Sequence, residues 1–381
     1  MARTAIVAGY LVGNPVGGHV LSILHWLAGL RSLGYDVIFA EHHGWPNACW
    51  NPRTKTLSDD PTFGIDELSG HADRVGLRAW CFVDAQGSYH GLSQQEMVRH
   101  CKSADVLIGL WTVTWLDEFA ECRRRIFIDT DPGFTQFGMS PDVGASLEFA
   151  SPVDFHEHYS YGSRIGQPDC PIPTHGIDWK PARPPVSLDL LPFHLAPDAA
   201  CFTTVMAWAP RKPIVYDGVE YGLKDVEFWR IAELPARVNA CLEIALGGSA
   251  PYNAIAAAGW RIADAAAVTA TPWTYRDYIA QSRGEFSVAV NLEVKTKSGW
   301  FSDRTAAYLA TGKPVVVQDT GFSADLPCGE GLFAFSTLDD AIAAIEEIGR
   351  DYRRHCLAAR RIAEEHLDAR RVIGRIVDPD R

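Results

Sequence analysis

The chain has 381 residues, of which 47% are hydrophobic and 22% charged, and its formal net charge is −12. That length suits two domains of ordinary size, and the balance is that of a soluble globular protein. So acidic a composition argues against a nucleic-acid binder, which needs a basic surface, and nine cysteines without a C-x-x-C pair signal neither a zinc ribbon nor a full disulfide framework.

The apolar run over 5–12 is too short to span a bilayer and meets Asn14-Pro15 at once, so it reads as a strand rather than a signal peptide. With no transmembrane segment expected and the cysteines read as reduced thiols, the expected location is cytoplasmic. A strand over 4–8, a glycine-punctuated loop, an amphipathic helix over 20–33 and a strand over 35–40 make a βαβ unit, which requires a parallel sheet. The loop does not match G-x-G-x-x-G, so a dinucleotide fingerprint is not supported. Residues 42–70, rich in Pro, Asp, Asn and Trp, read as a long surface loop over the sheet's carboxyl edge.

Further strands are expected over 78–83, 105–110 and 125–129, a helix over 93–102, and a short strand over 156–161. Prolines crowd 168–185, and the domain junction is placed within 181–197. The division is therefore 1–185, 186–366 and a C-terminal helix and tail over 367–381, the helix expected over 367–377. The second half alternates again, with strands over 201–207, 241–246, from 261 and over 286–290. Its helices are expected over 226–231, 251–258 and 275–281, and a long alanine-rich one over 338–366.

The most informative stretch is 298–322. Gly299 marks a turn, Ser302 is a natural N-cap for a helix over 304–310, Gly312 ends it, and Val315 to Val317 make a buried strand. Gln318, Asp319 and Thr320 then fall at the strand's carboxyl end, where open parallel sheets bind ligands. Free N–H groups at Ser302 to Arg304 offer a phosphate seat. A diphosphate seat beside hydroxyl-binding groups suits a nucleotide-sugar.

Here the sequence resembles the donor-binding region of glycosyltransferases with the GT-B fold, in which a helix leads into a Gly-[TKR]-Pro-Val-Val run followed by polar residues. The matching residues are Ala310-Thr311-Gly312-Lys313-Pro314-Val315-Val316, then Gln318 and Asp319. Many members carry a glutamate five residues before the glycine; Ala307 stands there. The His-Cys-Gly-Trp-Asn signature of plant-type members is absent, with Ser298-Gly299-Trp300 in a similar place. The resemblance implies an α/β protein of two Rossmann-like domains facing a cleft, with a C-terminal helix crossing back to the first domain. It implies transfer of a sugar from a nucleotide-sugar donor, held by the second domain, to a small-molecule acceptor held by the first, with no cofactor.

Gly18-His19-Val20 is similar to the Gly-His-Val that supplies the general base of inverting members, which makes His19 the catalytic candidate. Gly17 and Gly18 form the turn before it and are counted with the donor-binding residues. Asp129 or Asp131, ending a strand of the same domain, could fix the imidazole's tautomer; they also spell D-x-D, a manganese-binding signature, although turn formation before Pro132-Gly133 is the commoner use. Arg211, Lys212, Lys224 and Lys295 are cations available to a diphosphate, together with Arg304, and no divalent metal is expected. Ser298, Gly299, Ser302, Gln318, Asp319 and Thr320 complete the expected donor site, and Glu285 is a further cleft candidate. Trp45, Trp50, Trp111 and Trp115 form either an acceptor platform or ordinary packing. A retaining transferase, a nucleotide-sugar epimerase and a non-catalytic nucleotide-sugar binder remain alternatives, as do monomer and homodimer.

Overall fold

A computed structural model describes residues 3–77, 79–111, 114–140, 143 and 152–379. The first domain is built on an eight-stranded sheet. Its spatial order is Trp179–Pro181, Glu157–Ser160, Arg125–Asp129, Val106–Leu110, Arg3–Ala8, Tyr35–His42, Ala79–Val83 and Tyr89–Gly91. All neighbours are parallel except the last pair. Arg78, with which the third strand was expected to begin, lies outside the described residues.

Side chains alternate across the strands, so one sequence builds two cores. Ala5, Val7, Val37, Phe39, Ile108 and Ile128 face the helix Gly17–Ser32. Ile6, Ala8, Ile38, Ala40, Leu107 and Phe127 face the other side. The second domain repeats the logic on a six-stranded, wholly parallel sheet in the order Arg261–Asp264, Cys241–Gly247, Cys201–Ala207, Gly284–Ser287, Val315–Gln318 and Leu332–Phe335.

In each sheet the chain leaves the first strand toward one edge and later returns to its other side. The resulting switch points lie between Arg3–Ala8 and Val106–Leu110, and between Cys201–Ala207 and Gly284–Ser287. Ligands of open α/β sheets bind beyond the carboxyl ends at such points, and here the two sets of carboxyl-end loops meet. Arg164 N–H donates to the Ser298 carbonyl at 2.9 Å and Trp300 Nε1 to the Thr130 carbonyl at 3.2 Å.

The chain crosses between domains twice at one place, where Val186 and Leu367–Ala369 exchange backbone hydrogen bonds of 2.8 and 2.9 Å. The helix Ala369–Val377 then lies on the first domain and buries Val372, Ile373, Ile376 and Val377. Such side chains contribute about 1.5–3 kcal/mol each when fully buried. Gly29 permits the approach, since a Cβ there would stand 2.5 Å from Ile373. Arg124 donates to the carbonyls of Ile376 and Val377 at 3.0 and 2.5 Å, placing a cation at the helix C-terminus.

Three expectations are corrected. Residues 42–70 are not one loop: they hold a hairpin of Cys49–Asn51 with Thr56–Ser58 and most of a helix, Thr62–Val75. That helix buries Gly64, Leu68, His71 and Val75, a helical spacing half carried by glycine and histidine, so apolar periodicity does not reveal it. The long helix over 338–366 is instead Leu338–Arg350 and Tyr352–Ile362 with a π-turn after it; Asp351 breaks the run and caps the second piece by accepting from Arg354 N–H at 3.1 Å. Finally, Cys201 and Cys241 are not reduced thiols. They stand opposite each other on neighbouring parallel strands and form a disulfide, while the other seven cysteines are free. No helix among the described residues is long and apolar enough to cross a membrane.

Candidate active site at the domain junction

The helix Gly17–Ser32 starts at the first-domain switch point, and its opening turn lies against the second domain. Gly17 N–H donates to the Thr269 carbonyl at 2.8 Å, and a Cβ on Gly17 would come within 2.2 Å of the Thr271 carbonyl oxygen. A Cβ on Gly18 would press on the Tyr275 ring at 3.1 Å. Both glycines, expected at the donor, let the two domains touch at this point.

His19 follows and lines a cleft of about 200 Å³. Its Nε2 hydrogen-bonds the Tyr10 carbonyl. A carbonyl can only accept, so Nε2 carries the proton and Nδ1 the lone pair. Burial pulls the imidazole's pKa below its usual 6.5, against the Tyr10 carbonyl and the charges of Glu41, Asp303 and Asp131. The ring is therefore neutral near pH 7 and able to take a proton. Trp111 meets it edge-on at 5.7 Å from the carboxyl end of Val106–Leu110, held at φ 63°. A left-handed tryptophan costs about 1–3 kcal/mol, and such strain tends to collect at functional sites.

The carboxylate expected to orient His19 does not do so directly. Asp129 is fully buried and accepts from Thr135 Oγ1, Gln136 Nε2 and Ser160 Oγ at 2.6, 2.8 and 2.6 Å, and from Asp131 N–H at 3.2 Å. Burial raises its pKa in spite of these bonds. It organises the turn after its strand. Asp131 does line the cleft, where Arg211 reaches it across the domain boundary at 2.9 Å. The Arg211 guanidinium lies 4.7 Å over the Phe134 ring and 6.0 Å from that of Trp111.

Lys224 opens the helix Lys224–Phe228. It is half-buried, and among the described residues it has no hydrogen-bond or ion-pair partner. Burial lowers its pKa to about 7, and the nearby Arg304 adds to this, against the opposing charges of Asp131, Asp303 and Glu285. The loop before it is pinned from below. Asn291 accepts from Gly222 N–H at 2.9 Å, while the fully buried Glu227 accepts from Asn291 Nδ2 and Gln318 Nε2 at 2.5 and 2.6 Å. Gln318 is thus spent on this network, its Oε1 also accepting from Ala289 N–H at 3.1 Å.

The phosphate seat expected at Ser302 to Arg304 is altered by its own residues. Ser302 does cap the helix Asp303–Ala310, but Arg304 N–H is shared between Ser302 Oγ and Asp303 Oδ1 at 3.2 and 2.8 Å. The Asp303 carboxylate brings negative charge to the place where the helix end would attract an anion. Arg304 turns into the domain, donating to Glu285 Oε1, the Val205 carbonyl and Ser287 Oγ at 2.6, 2.9 and 2.8 Å. It is a buried ion pair at the second switch point.

The other expected donor residues are also engaged. Ser298 Oγ donates to Glu293, and Gly299, at φ 76°, gives its N–H to the Thr320 carbonyl at 2.8 Å. Thr320 Oγ1 donates to the Trp300 carbonyl at 2.6 Å. Asp319 caps the turn at Gly321, accepting its N–H at 2.8 Å. Lys295 reaches the Glu220 carbonyl at 2.8 Å and Lys212 is solvent-exposed. Of the four tryptophans only Trp111 lines the cleft; Trp45 stacks on His43, Trp50 is tied to the Gly13 carbonyl, and Trp115 packs edge-on to Phe119 and Phe155.

Sequence reasoning missed Asp303, because an acid in a first helical turn reads as a capping aid. It also missed the aromatic walls contributed by Tyr10, Trp26, Tyr161 and Trp300.

No protein-family description and no curated protein sequence matches the chain. Among solved structures it is similar to sucrose-phosphate synthase of Thermosynechococcus elongatus, at 12% identity and TM-score 0.52 over 98% of each chain. It is similar also to an alpha-glucosyltransferase solved with UDP-glucose and DNA containing an abasic site, at 10% identity and TM-score 0.57 over 99% of this chain and 98% of that one. HepE of Anabaena, solved with UDP and glucose, gives 13% identity and TM-score 0.55 over 99% of each. Identities so low carry the fold, and they agree with the resemblance of the 298–322 stretch: the chain has the GT-B fold of glycosyltransferases, with two Rossmann-like domains facing a cleft.

Proposed function

We propose that the protein transfers a sugar from a nucleoside-diphosphate sugar to a hydroxyl of a small acceptor, with inversion and without a divalent metal. The observation that carries this reading is the convergence at one cleft of a neutral imidazole from the first domain with Arg211 from the second. Lys224, without a partner among the described residues, lies outside the cleft's lining but close enough to feel the charges of Asp131 and Asp303, which belong to it. In the proposed step the acceptor hydroxyl gives its proton to His19 Nδ1 as its oxygen attacks the anomeric carbon. The bond to the diphosphate breaks, and the charge that appears on the leaving group is met by Arg211 and Lys224. Base and cations belong to opposite domains, which suits a displacement with attack and departure on opposite faces of the sugar. Cations already in place supply what a metal would otherwise supply.

The aromatic faces of Trp111, Tyr161 and Trp300 suit an acceptor with a flat, apolar ring face, and a cleft of about 200 Å³ suits a small one. Seven free thiols support a cytoplasmic setting, in which Cys201–Cys241 would be the exceptional bond. The test is incubation with a panel of nucleoside-diphosphate sugars, beginning with UDP-glucose, and mixed hydroxylated acceptors, reading product and its anomeric configuration. A product that keeps the donor's configuration would move the reading to a retaining transferase. Binding of donor without transfer or hydrolysis would leave a nucleotide-sugar sensor.

A further inference from the structure

His19 takes its orientation from a backbone carbonyl, which raises the question of what holds that carbonyl. Tyr10 C=O and Leu11 N–H belong to one planar peptide group and point in opposite directions. The carbonyl receives His19 Nε2, and the N–H donates to Glu41 Oε2 at 2.7 Å. Glu41 lies near the carboxyl end of the strand Tyr35–His42 and is 2% exposed. Its Oε2 also accepts from Val12 N–H at 2.7 Å, and its Oε1 from Gly13 N–H and His43 Nε2, both at 2.8 Å.

We infer that Glu41 is a positioning residue for His19, acting through the 10–11 peptide group: it fixes the carbonyl that holds the proton on Nε2 and leaves Nδ1 as the base. Three consecutive N–H groups aimed at one carboxylate set the path of the loop, because turning any of them away would leave a buried donor or a buried charge unmet. Donation of the Leu11 N–H to the carboxylate also polarises the carbonyl on the far side of the peptide group, making it a better acceptor for the imidazolium that forms on proton transfer. The remaining contacts hold the same segment. Tyr10 OH bonds Thr114 Oγ1 at 2.6 Å, Gly9 N–H donates to the Ala40 carbonyl at 3.2 Å, and a Cβ on Gly13 would collide with the His43 ring at 1.9 Å. The clamp calls for a carboxylate, since both oxygens receive donors. Glutamine would present an NH2 group to N–H donors on one side of the clamp.

The inference rests on His19 being the base, and its test separates the two. His19 tautomers are read by 15N NMR on the intact, histidine-labelled protein, alongside single-turnover transfer and donor binding. The parent protein should show the Nε2–H form. Glu41→Gln should mix the tautomers and lower transfer about 10²-fold, the scale of a misplaced catalytic group, with donor affinity unchanged. The charges acting on the ring are those of Glu41, behind the peptide group, and of Asp131 and Asp303, with Tyr10, Tyr161 and Arg211 on the same cleft. Glu41 is among those that raise its pKa, so the acid limb of the pH–rate profile should move to lower pH in Glu41→Gln. Glu41→Asp, which keeps the charge, should recover part of the rate and return the limb. An Nδ1–H parent overturns the inference even if no variant folds, and so does a folded Glu41→Gln with parental tautomer and rate. If the tautomers respond as stated but His19→Ala transfers at the parental rate, the base assignment fails and the relay stands.

Discussion

Lys224 makes a prediction that depends on its lacking a partner among the described residues. In the free protein its pKa is lowered to about 7, from 10.5. A diphosphate beside it would supply the missing opposite charge and draw the pKa back up. At pH 8 a group with pKa near 7 is about one-tenth protonated, so binding should take up about 0.9 proton, against about 0.5 at pH 7. The sign follows. Below about pH 7 the lysine is already charged and affinity is flat with pH. Above it each unit of pH must pay for a proton, and affinity should fall by up to about tenfold, 1.4 kcal/mol, per unit. The assay is calorimetry with a nucleoside diphosphate at pH 8 in buffers of different ionisation enthalpy. The terminal phosphate is then fully ionised and adds no proton of its own. Lys224→Met should weaken binding and abolish the buffer dependence. Uptake near zero at pH 8, or uptake unchanged in Lys224→Met, would refute the placing of Lys224 against the diphosphate.

Arg304→Met should destabilise the protein by about 3–5 kcal/mol in denaturant melts, because Glu285 would be left charged and fully buried. The double variant Arg304→Met with Glu285→Leu should recover much of that loss, and equal melts for parent and single variant would show that the pair is not buried. His19→Ala should lower transfer by about 10²–10⁴ while leaving donor affinity nearly unchanged; an equal loss in binding would make the residue part of the donor site. Transfer should survive exhaustive chelation, and a complete loss restored by manganese would return Asp129 and Asp131 to a metal role.

How much of this could be read from the sequence depends on the range over which each signal acts. The βαβ order was legible because apolar alternation, helix periodicity and glycine stops are local, and both sheets repeat them. The hairpin of Ile214–Tyr216 with Val219–Tyr221, which leads into Lys224, was overlooked although its Asp217-Gly218 turn is a strong local signal; both residues have positive φ, 49° and 73°. Partnership is a different matter. Arg304 at a helix start reads as an anion ligand until a neighbouring strand is known to bring Glu285 beneath it. Asp129 and Asp131 read as a pair, yet they sit on either side of the turn they help to form, one sealed among three side-chain donors and the other facing Arg211 of the other domain. Glu41 gave no signal, since a glutamate near the end of a strand is chemically unremarkable until the loop of another strand folds its N–H groups onto it. His19 stands out in the sequence because its signal is a motif, Gly-His-Val at a loop–helix junction, and its position at the start of a helix needs only the local turn. The proposed control of its protonation is the Tyr10–Leu11 peptide, whose carbonyl meets His19 Nε2. That group has no side-chain identity to read, so sequence reasoning sought a carboxylate on the ring, while the fold places one a single peptide group away.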